Sequence, residues 1–178
     1  MFDVVVAADR DWGIGKANGL PWPKLRGDLA HFKWVTCAAS EGKRTAIVMG
    51  RKTWESAEVA GKPLPRRLNV VVTRRVDLVV PEGVVVAASL DAGLLAATGA
   101  PVVETVFVVG GAEIYRESLT RDDLRWIYLT RIDGRYQCDV TIPDLDRDFE
   151  HDVWDGEQEL EDAGVRYRIE RLKRRPRT

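Results

Sequence analysis

Cysteine and histidine are scarce, with two of each in 178 residues. Cys37 and Cys138 cannot form a disulfide framework, and His31 and His151 do not complete a four-ligand zinc site with them, so no metal is expected. Long apolar runs are missing too. Nothing approaches the ~20 residues that cross a bilayer as a helix, so no membrane partner is expected. The first nine residues lack a basic leader region and carry Asp3 and Asp9 around a short apolar run, which reads as a first strand and not as a signal peptide. A surplus of either charge is also lacking. With 27 Lys+Arg against 28 Asp+Glu the net charge is −1, too little positive excess for a nucleic-acid binder that must displace counterions. What is there, 45% hydrophobic and 31% charged residues, is the balance of a globular protein. The length suits one domain over residues 1–178, and the composition suits a cytoplasmic location.

Short, mostly β-branched runs recur between turn signals: Val4–Ala8, Thr45–Met49, Leu68–Thr73, Gly83–Ala87, Thr105–Val109 and Trp126–Thr130. Runs of this length, apolar on both faces, suit strands buried between two layers. Helical spacing lies between them, at Leu25–Thr36, Lys52–Ala57, Leu90–Thr98 and Ala112–Leu119. The alternation predicts an α/β sandwich with a mostly parallel central sheet. After Trp126 the strand-like pieces Phe149–Trp154 and Val165–Leu172 follow without a helix, which predicts an antiparallel C-terminal end on the same sheet. Charge is uneven here. Residues 144–162 hold ten acids and one arginine, and residues 165–178 hold seven Lys/Arg and one Glu. The plain expectation is a solvated face followed by a disordered end at residues 174–178; cross-ladder pairing of acidic and basic strands is the alternative.

Five segments carry residues suited to chemistry. Residues 13–23, with three glycines and two prolines, follow the first strand directly and so lie at its carboxyl end, the ligand edge of open α/β sheets. With Leu20 and Trp22 this segment reads as a flexible cover able to exclude water. In Leu25–Thr36, Asp28 borders the apolar stripe of Leu25, Leu29, Phe32 and Val35, so desolvation should raise its pKa, although an acid in a first helical turn needs no functional reason. Gly50-Arg51-Lys52-Thr53 joins a strand to a helical turn, offering backbone N–H groups, a hydroxyl and two cations to a phosphate. Thr73-Arg74-Arg75 ends another strand in the same style. Val109-Gly110-Gly111-Ala112 runs from a strand into a helix carrying Ile114 and Tyr115, and its glycines would let a pyrophosphate approach the backbone. Cations beyond the needs of a pyrophosphate hint at a further phosphate, as on a 2′-phosphorylated dinucleotide.

Read in order, Gly13-Ile14-Gly15, Leu20-Pro21-Trp22-Pro23 with Asp28, Met49 to Ser56, Lys62 to Asn69, Val109-Gly110-Gly111 with Ile114-Tyr115, and Tyr128 to Asp133 resemble dihydrofolate reductase along almost the whole chain. That resemblance implies a three-layer α/β sandwich and NADPH-dependent reduction of dihydrofolate to tetrahydrofolate. It implies that Asp28 holds the pterin and promotes protonation at N5, with Thr130 bonding this carboxylate, Trp22 holding an ordered water nearby, and Leu20 closing the site. Val5 and Val109 would present carbonyls to the pterin, Ala7, Leu29 and Phe32 would wall it, Ala57 and Leu64 would line the benzoyl and tail region, and Arg67 would fork onto the tail carboxylate. Ala7, Ile14, Gly15 and Leu20 would border the nicotinamide. Gly50, Arg51, Lys52 and Thr53, then Gly110, Gly111, Ala112, Ile114 and Tyr115, would follow the phosphates and nicotinamide, with the Gly110–Gly111 bond cis. Thr73 and Arg74 would meet the 2′-phosphate, and Asp139 would help hold the cover closed.

Three positions depart from the family pattern. Ala57 stands where a bulky residue is usual, which should widen the pocket; Ala112 replaces a third glycine; and His31 replaces a frequent aromatic, and is expected to be a partly exposed helix residue. Antifolates such as methotrexate or trimethoprim are the implied inhibitors, a monomer is expected, and no thymidylate synthase portion is expected after the reductase region. A reductase of the same fold acting on a flavin-pathway pyrimidine is less consistent with Trp22 and Asp28. An inactive NADPH-binding module is less consistent with Asp28, Thr130 and Arg67.

Overall fold

The computed structural model describes residues 1–176. The chain runs through β1 (Phe2–Ala8), a short strand β2 (Gly13–Gly15), helix α1 (Arg26–Cys37) and β3 (Arg44–Gly50). There follow α2 (Arg51–Trp54), β4 (Arg67–Val72), β5 (Val85–Ala87), α3 (Leu90–Gly99), β6 (Val103–Val108) and α4 (Ala112–Leu119). The last elements are strands: β7 (Leu124–Ile132), β8 (Val140–Thr141), β9 (Phe149–His151), β10 (Gln158–Asp162) and β11 (Val165–Arg174). A nine-stranded sheet has the order β10-β11-β7-β1-β6-β3-β4-β5, with β9 also paired to β11; β2 and β8 form a separate ribbon. Neighbours from β7 to β5 are parallel. Those that β11 makes with β7, β9 and β10 are antiparallel.

The strands are apolar on both faces because each face builds a core. Val4, Val6, Val48, Val70 and Val108 pack on one side with Leu90 and Leu94 of α3 and Leu119 of α4. The alternate residues Val5, Ile47, Met49, Val71 and Phe107 pack on the other with Val35 of α1 and Trp54 of α2. The two-residue side-chain period thus divides one apolar run between two layers, giving the expected sandwich.

Three expectations need correction. Arg174 belongs to β11 and its guanidinium donates to the carbonyls of Leu119 and Arg121, while the Arg175 N–H donates to Asp148; residues 177 and 178 of the expected disordered end lie outside the described residues. The acidic and basic segments do pair across ladders. Glu159 faces Arg168 and Glu161 faces Arg166 in register, and Glu150 faces Lys173. Cross-strand neighbours of opposite sign are the favourable arrangement, and sequence charge runs hide it because they do not show which strand lies beside which.

His31 is the third. It is buried, 5% exposed, with its ring 6.0 Å from Trp34 and 5.9 Å from Trp154, and neither ring nitrogen has a hydrogen-bond partner among the described residues. Burial lowers its pKa to about 4. The unfolded chain therefore takes up this proton near pH 6.5 while the fold resists it, so stability present above pH 6.5 is lost as pH falls toward 4. Replacing His31 with Phe should remove that part of the acid sensitivity. Urea midpoints at pH 7 and pH 5 should show a loss smaller than wild type by on the order of 1 to 2 kcal/mol.

Candidate active site

Parallel register brings the carboxyl ends of β1, β6, β3, β4 and β5 to one edge of the sheet. A cleft of about 820 Å³ follows that edge. Ala7, Ile14, Gly15 and Leu20 line it at one end. Gly50, Arg51, Lys52 and Thr53, then Thr73 and Arg74, then Val109, Gly110, Gly111, Ala112, Ile114 and Tyr115 line the rest. All the residues assigned above to the dinucleotide thus share one cavity. Arg75, the second arginine of the Thr73-Arg74-Arg75 strand end, borders it as well, and so do Lys16, Asn18, Glu58, Ser89 and Arg116, which carry no signal for the site in the sequence.

The floor of the cleft is backbone. The Gly110–Gly111 peptide is cis, and Gly110 has φ +113°, a conformation L side chains rarely adopt. A Cβ there would lie 3.2 Å from both the Thr53 hydroxyl and the Tyr115 ring. The Gly50 N–H donates to the Gly110 carbonyl at 2.7 Å, which ties the two glycine corners together. Cations surround this floor, but some are already engaged: Arg51 pairs with Glu55 at 2.5 Å, and Arg75 forks onto Asp77 at 3.0 and 2.7 Å.

Beside the cleft stands the acid. Asp28, in the first turn of α1, accepts the Thr130 hydroxyl at 2.6 Å. Thr130 lies beside Ala7 in the β1–β7 register, and Ala7 lines the cleft. Burial raises the Asp28 pKa above the ordinary carboxylate value; the Thr130 hydroxyl works against that rise and the charge of Asp162 adds to it. Tyr115 donates its hydroxyl to the Val5 carbonyl at 2.7 Å, and burial, then the Asp28 charge, pushes its pKa up. Trp22 is buried with no partner for its indole N–H among the described residues.

Farther along α1, Leu29 is exposed and Phe32 half-buried, and the Arg67 guanidinium lies 5.9 Å over the Phe32 ring. Arg67 is braced by its own bonds, Nη1 to the Thr36 hydroxyl at 2.7 Å and Nε to the Pro65 carbonyl at 3.0 Å, and burial lowers its pKa. Asn69 holds the preceding turn. Its side chain accepts the Leu64 N–H at 2.8 Å and donates to the carbonyls of Leu64 and Arg67, both at 2.9 Å. Ala57 is exposed and lies against Gly19 of the cover.

Carboxylates hold the cover. Asp9 is buried at its root and accepts the N–H groups of Asp11 and Gly13 on one oxygen and of Tyr136 on the other. Burial raises its pKa, but these backbone donors outweigh burial and leave it lowered. Asp139 accepts the Ala17 N–H at 2.9 Å, and Glu58 accepts the Leu20 N–H at 2.9 Å. Asp9, Glu58 and Asn69 had not been singled out in the sequence. Asp9 had one weak signal, an acid four residues before the first glycine of the turn; Glu58 and Asn69 act across chain separations of 38 and 5 residues and had none.

Comparison with known proteins gives a consistent answer. A family model described as dihydrofolate reductase matches residues 1–174. A bifunctional dihydrofolate reductase-thymidylate synthase of Glycine max is 46% identical over 151 residues, 82% of this chain and 28% of that protein. The chain thus spans under a third of the bifunctional plant relatives it matches. A dihydrofolate reductase of Heliothis virescens is 38% identical, covering 82% of this chain and 80% of the relative. The solved structure of Schistosoma mansoni dihydrofolate reductase superposes with a TM-score of 0.83 at 35% identity, covering 98% of each chain.

Because the Thr130 hydroxyl stabilises the ionised form of Asp28, Thr130→Val should raise the Asp28 pKa further. A carboxyl ¹³C titration should show its midpoint moving to higher pH by about one unit, with the fold retained; a midpoint that stays or falls contradicts the assigned bond.

Proposed function

The chain belongs to the dihydrofolate reductase family, and from that premise we propose that it reduces 7,8-dihydrofolate to tetrahydrofolate with NADPH, residues 1–178 working as one domain. The observation that carries the reading is the placement of one desolvated, hydroxyl-bonded carboxylate, Asp28, next to a glycine-floored and cation-rimmed cleft. Asp28 and Thr130 serve a pterin and have no use for a dinucleotide alone. Bound NADPH supplies the hydride that goes to pterin C6.

The chain's own groups do the rest. Asp28 accepts paired hydrogen bonds from the pterin 2-amino group and N3, and its negative charge favours the ring form that has gained a proton at N5. Burial raises the pKa of that carboxylate above the ordinary value, the direction such a role calls for. The indole of Trp22 offers a donor for a water beside it. Leu29 and Phe32 cover the ring faces, Leu64 borders the tail, and Arg67, already oriented by Thr36 and Pro65, presents its fork to the tail carboxylate.

On the cofactor side the residues fit the group. Gly110 and Gly111 leave room that a Cβ would fill, the N-terminus of the eight-residue helix α4 follows directly, and Arg51, Lys52 and Arg74 supply positive charge. Arg74 supports NADPH over NADH, because no ion pair among the described residues neutralises it at the cleft rim. Closure of residues 13–20 over Ala7 excludes water from the reacting ring. In the same reading the protein is a cytoplasmic monomer inhibited by methotrexate- or trimethoprim-like antifolates; Cys37 and Cys138 are free thiols.

Mixing protein, NADPH and dihydrofolate should give a fall in absorbance at 340 nm that methotrexate stops; no fall with active controls contradicts the reading. Asp28→Asn should leave NADPH binding intact and cut turnover at pH 7 by about 100-fold or more, with partial recovery in acid. Arg67→Ala should raise the KM for dihydrofolate by about 10- to 100-fold while barely affecting a pterin that lacks the glutamate. Equal losses for the two substrates contradict the fork.

A further inference from the structure

The helix that carries Asp28 starts without a local cap. Leu25 stands at its N-cap position and makes no side-chain hydrogen bond to the first turn, although the leading N–H groups of any helix lack intrahelical partners. The acceptor comes from 135 residues away. Asp162, at the end of β10, accepts the Gly27 N–H at 2.9 Å through Oδ2, and the same oxygen accepts the Tyr167 hydroxyl from β11. The contact is tight: a Cβ on Gly27 would overlap the Tyr167 hydroxyl and crowd Leu160. The first turn of α1 is therefore seated on the β10–β11 hairpin, and the residue after Gly27 is Asp28.

We propose that Asp162 is a positioning residue for the Asp28 carboxylate: it anchors the first turn of α1 from the edge strand β10 and places a second negative charge near Asp28. The Tyr167 hydroxyl and the Gly27 N–H, helped by Arg26, hold Asp162 below the usual carboxylate range, so it is anionic at neutral pH. The polar groups that bear on Asp28 are Thr130 on β7, Tyr115 on α4, Tyr167 on β11 and Asp162 on β10, and of these four only Asp162 is anionic at neutral pH. Its charge opposes ionisation of Asp28, in the same direction as burial. The acidic stretch 144–162 thus ends on a residue that serves the site, a role that charge patterning did not suggest.

The proposal rests on the reductase reading, and two variants separate its parts. Asp162→Asn keeps an oxygen for the Gly27 N–H and removes the charge; Asp162→Ala removes both. In Asp162→Ala the KM for dihydrofolate should rise about fivefold, as loss of a helix cap would give, while the NADPH Kd stays within about twofold. In Asp162→Asn the KM should stay within about twofold, and the Asp28 midpoint should fall by a few tenths of a pH unit. That fall should shrink on raising salt from about 0.05 M to 1 M, since screening weakens a solvent-facing charge. An unchanged Asp28 midpoint in Asp162→Asn overturns the electrostatic part. An unchanged KM in Asp162→Ala, or equal losses of NADPH and dihydrofolate affinity, overturns the anchoring part. If Asp162→Ala fails to fold, the Asn variant and its salt dependence still decide. The Asp28 midpoint is read by carboxyl ¹³C NMR without turnover, so wild-type inactivity toward dihydrofolate would count against the reductase reading alone.

Discussion

A carboxylate is worth most to a binding site when water is kept from it, and Asp28 is held in that condition by the layers on either side. The sheet supplies Thr130, whose hydroxyl is the direct donor to Asp28. Helix α4 supplies Tyr115, whose hydroxyl donates to the Val5 carbonyl and so leaves Asp28 with a single side-chain donor among the described residues. Had Asp28 been given two or three donors, its pKa would have fallen like that of Asp9, which accepts three backbone N–H groups and titrates low despite burial. The two acids illustrate opposite outcomes of the same competition between desolvation and hydrogen bonding. Asp9 serves as a structural peg at the root of the cover, while Asp28 retains a raised proton affinity.

The cleft depends on parallel strands in the same way. Five strands end on one edge, and three of them hand the chain to a glycine, a hydroxyl or a cation at that point: Gly50 with Thr53, Thr73 with Arg74, Gly110 with Gly111. Antiparallel pairing would have divided these ends between two edges. The near-zero net charge of the chain is a sum over separate regions. Cations gather at the cleft, partly offset by Glu55 and Asp77, whereas the acids of residues 144–162 face the arginines and lysines of β11 across the ladders.

Two carboxylates, Asp139 and Glu58, grip the cover at residues 17 and 20, on strands of chain far apart in sequence. Each bond is a single exposed N–H to carboxylate contact, of the size that opens on the timescale of loop motion without cost to the core. Asp9 is different, buried and bonded by three backbone groups. The segment is thus rigid at its root and releasable at its tip, as a cover must be if ligand is to pass.

Much of this was legible in the residues. The β-branched runs, their length and the helical spacing between them led to the parallel sheet, because burial on both faces leaves no polar alternation to read. The glycine and cation clusters at strand ends, and Asp28 on the border of an apolar stripe, pointed to the cleft and its acid for the same local reasons. What tertiary structure alone decided are the contacts between distant segments. The burial of His31 against Trp154, the cap that Asp162 gives to α1 and the latch that Glu58 puts on Leu20 have no local signature. A side chain's periodicity states which face it occupies, but the identity of the neighbour on that face is set only when strands and helices far apart in the chain are packed together.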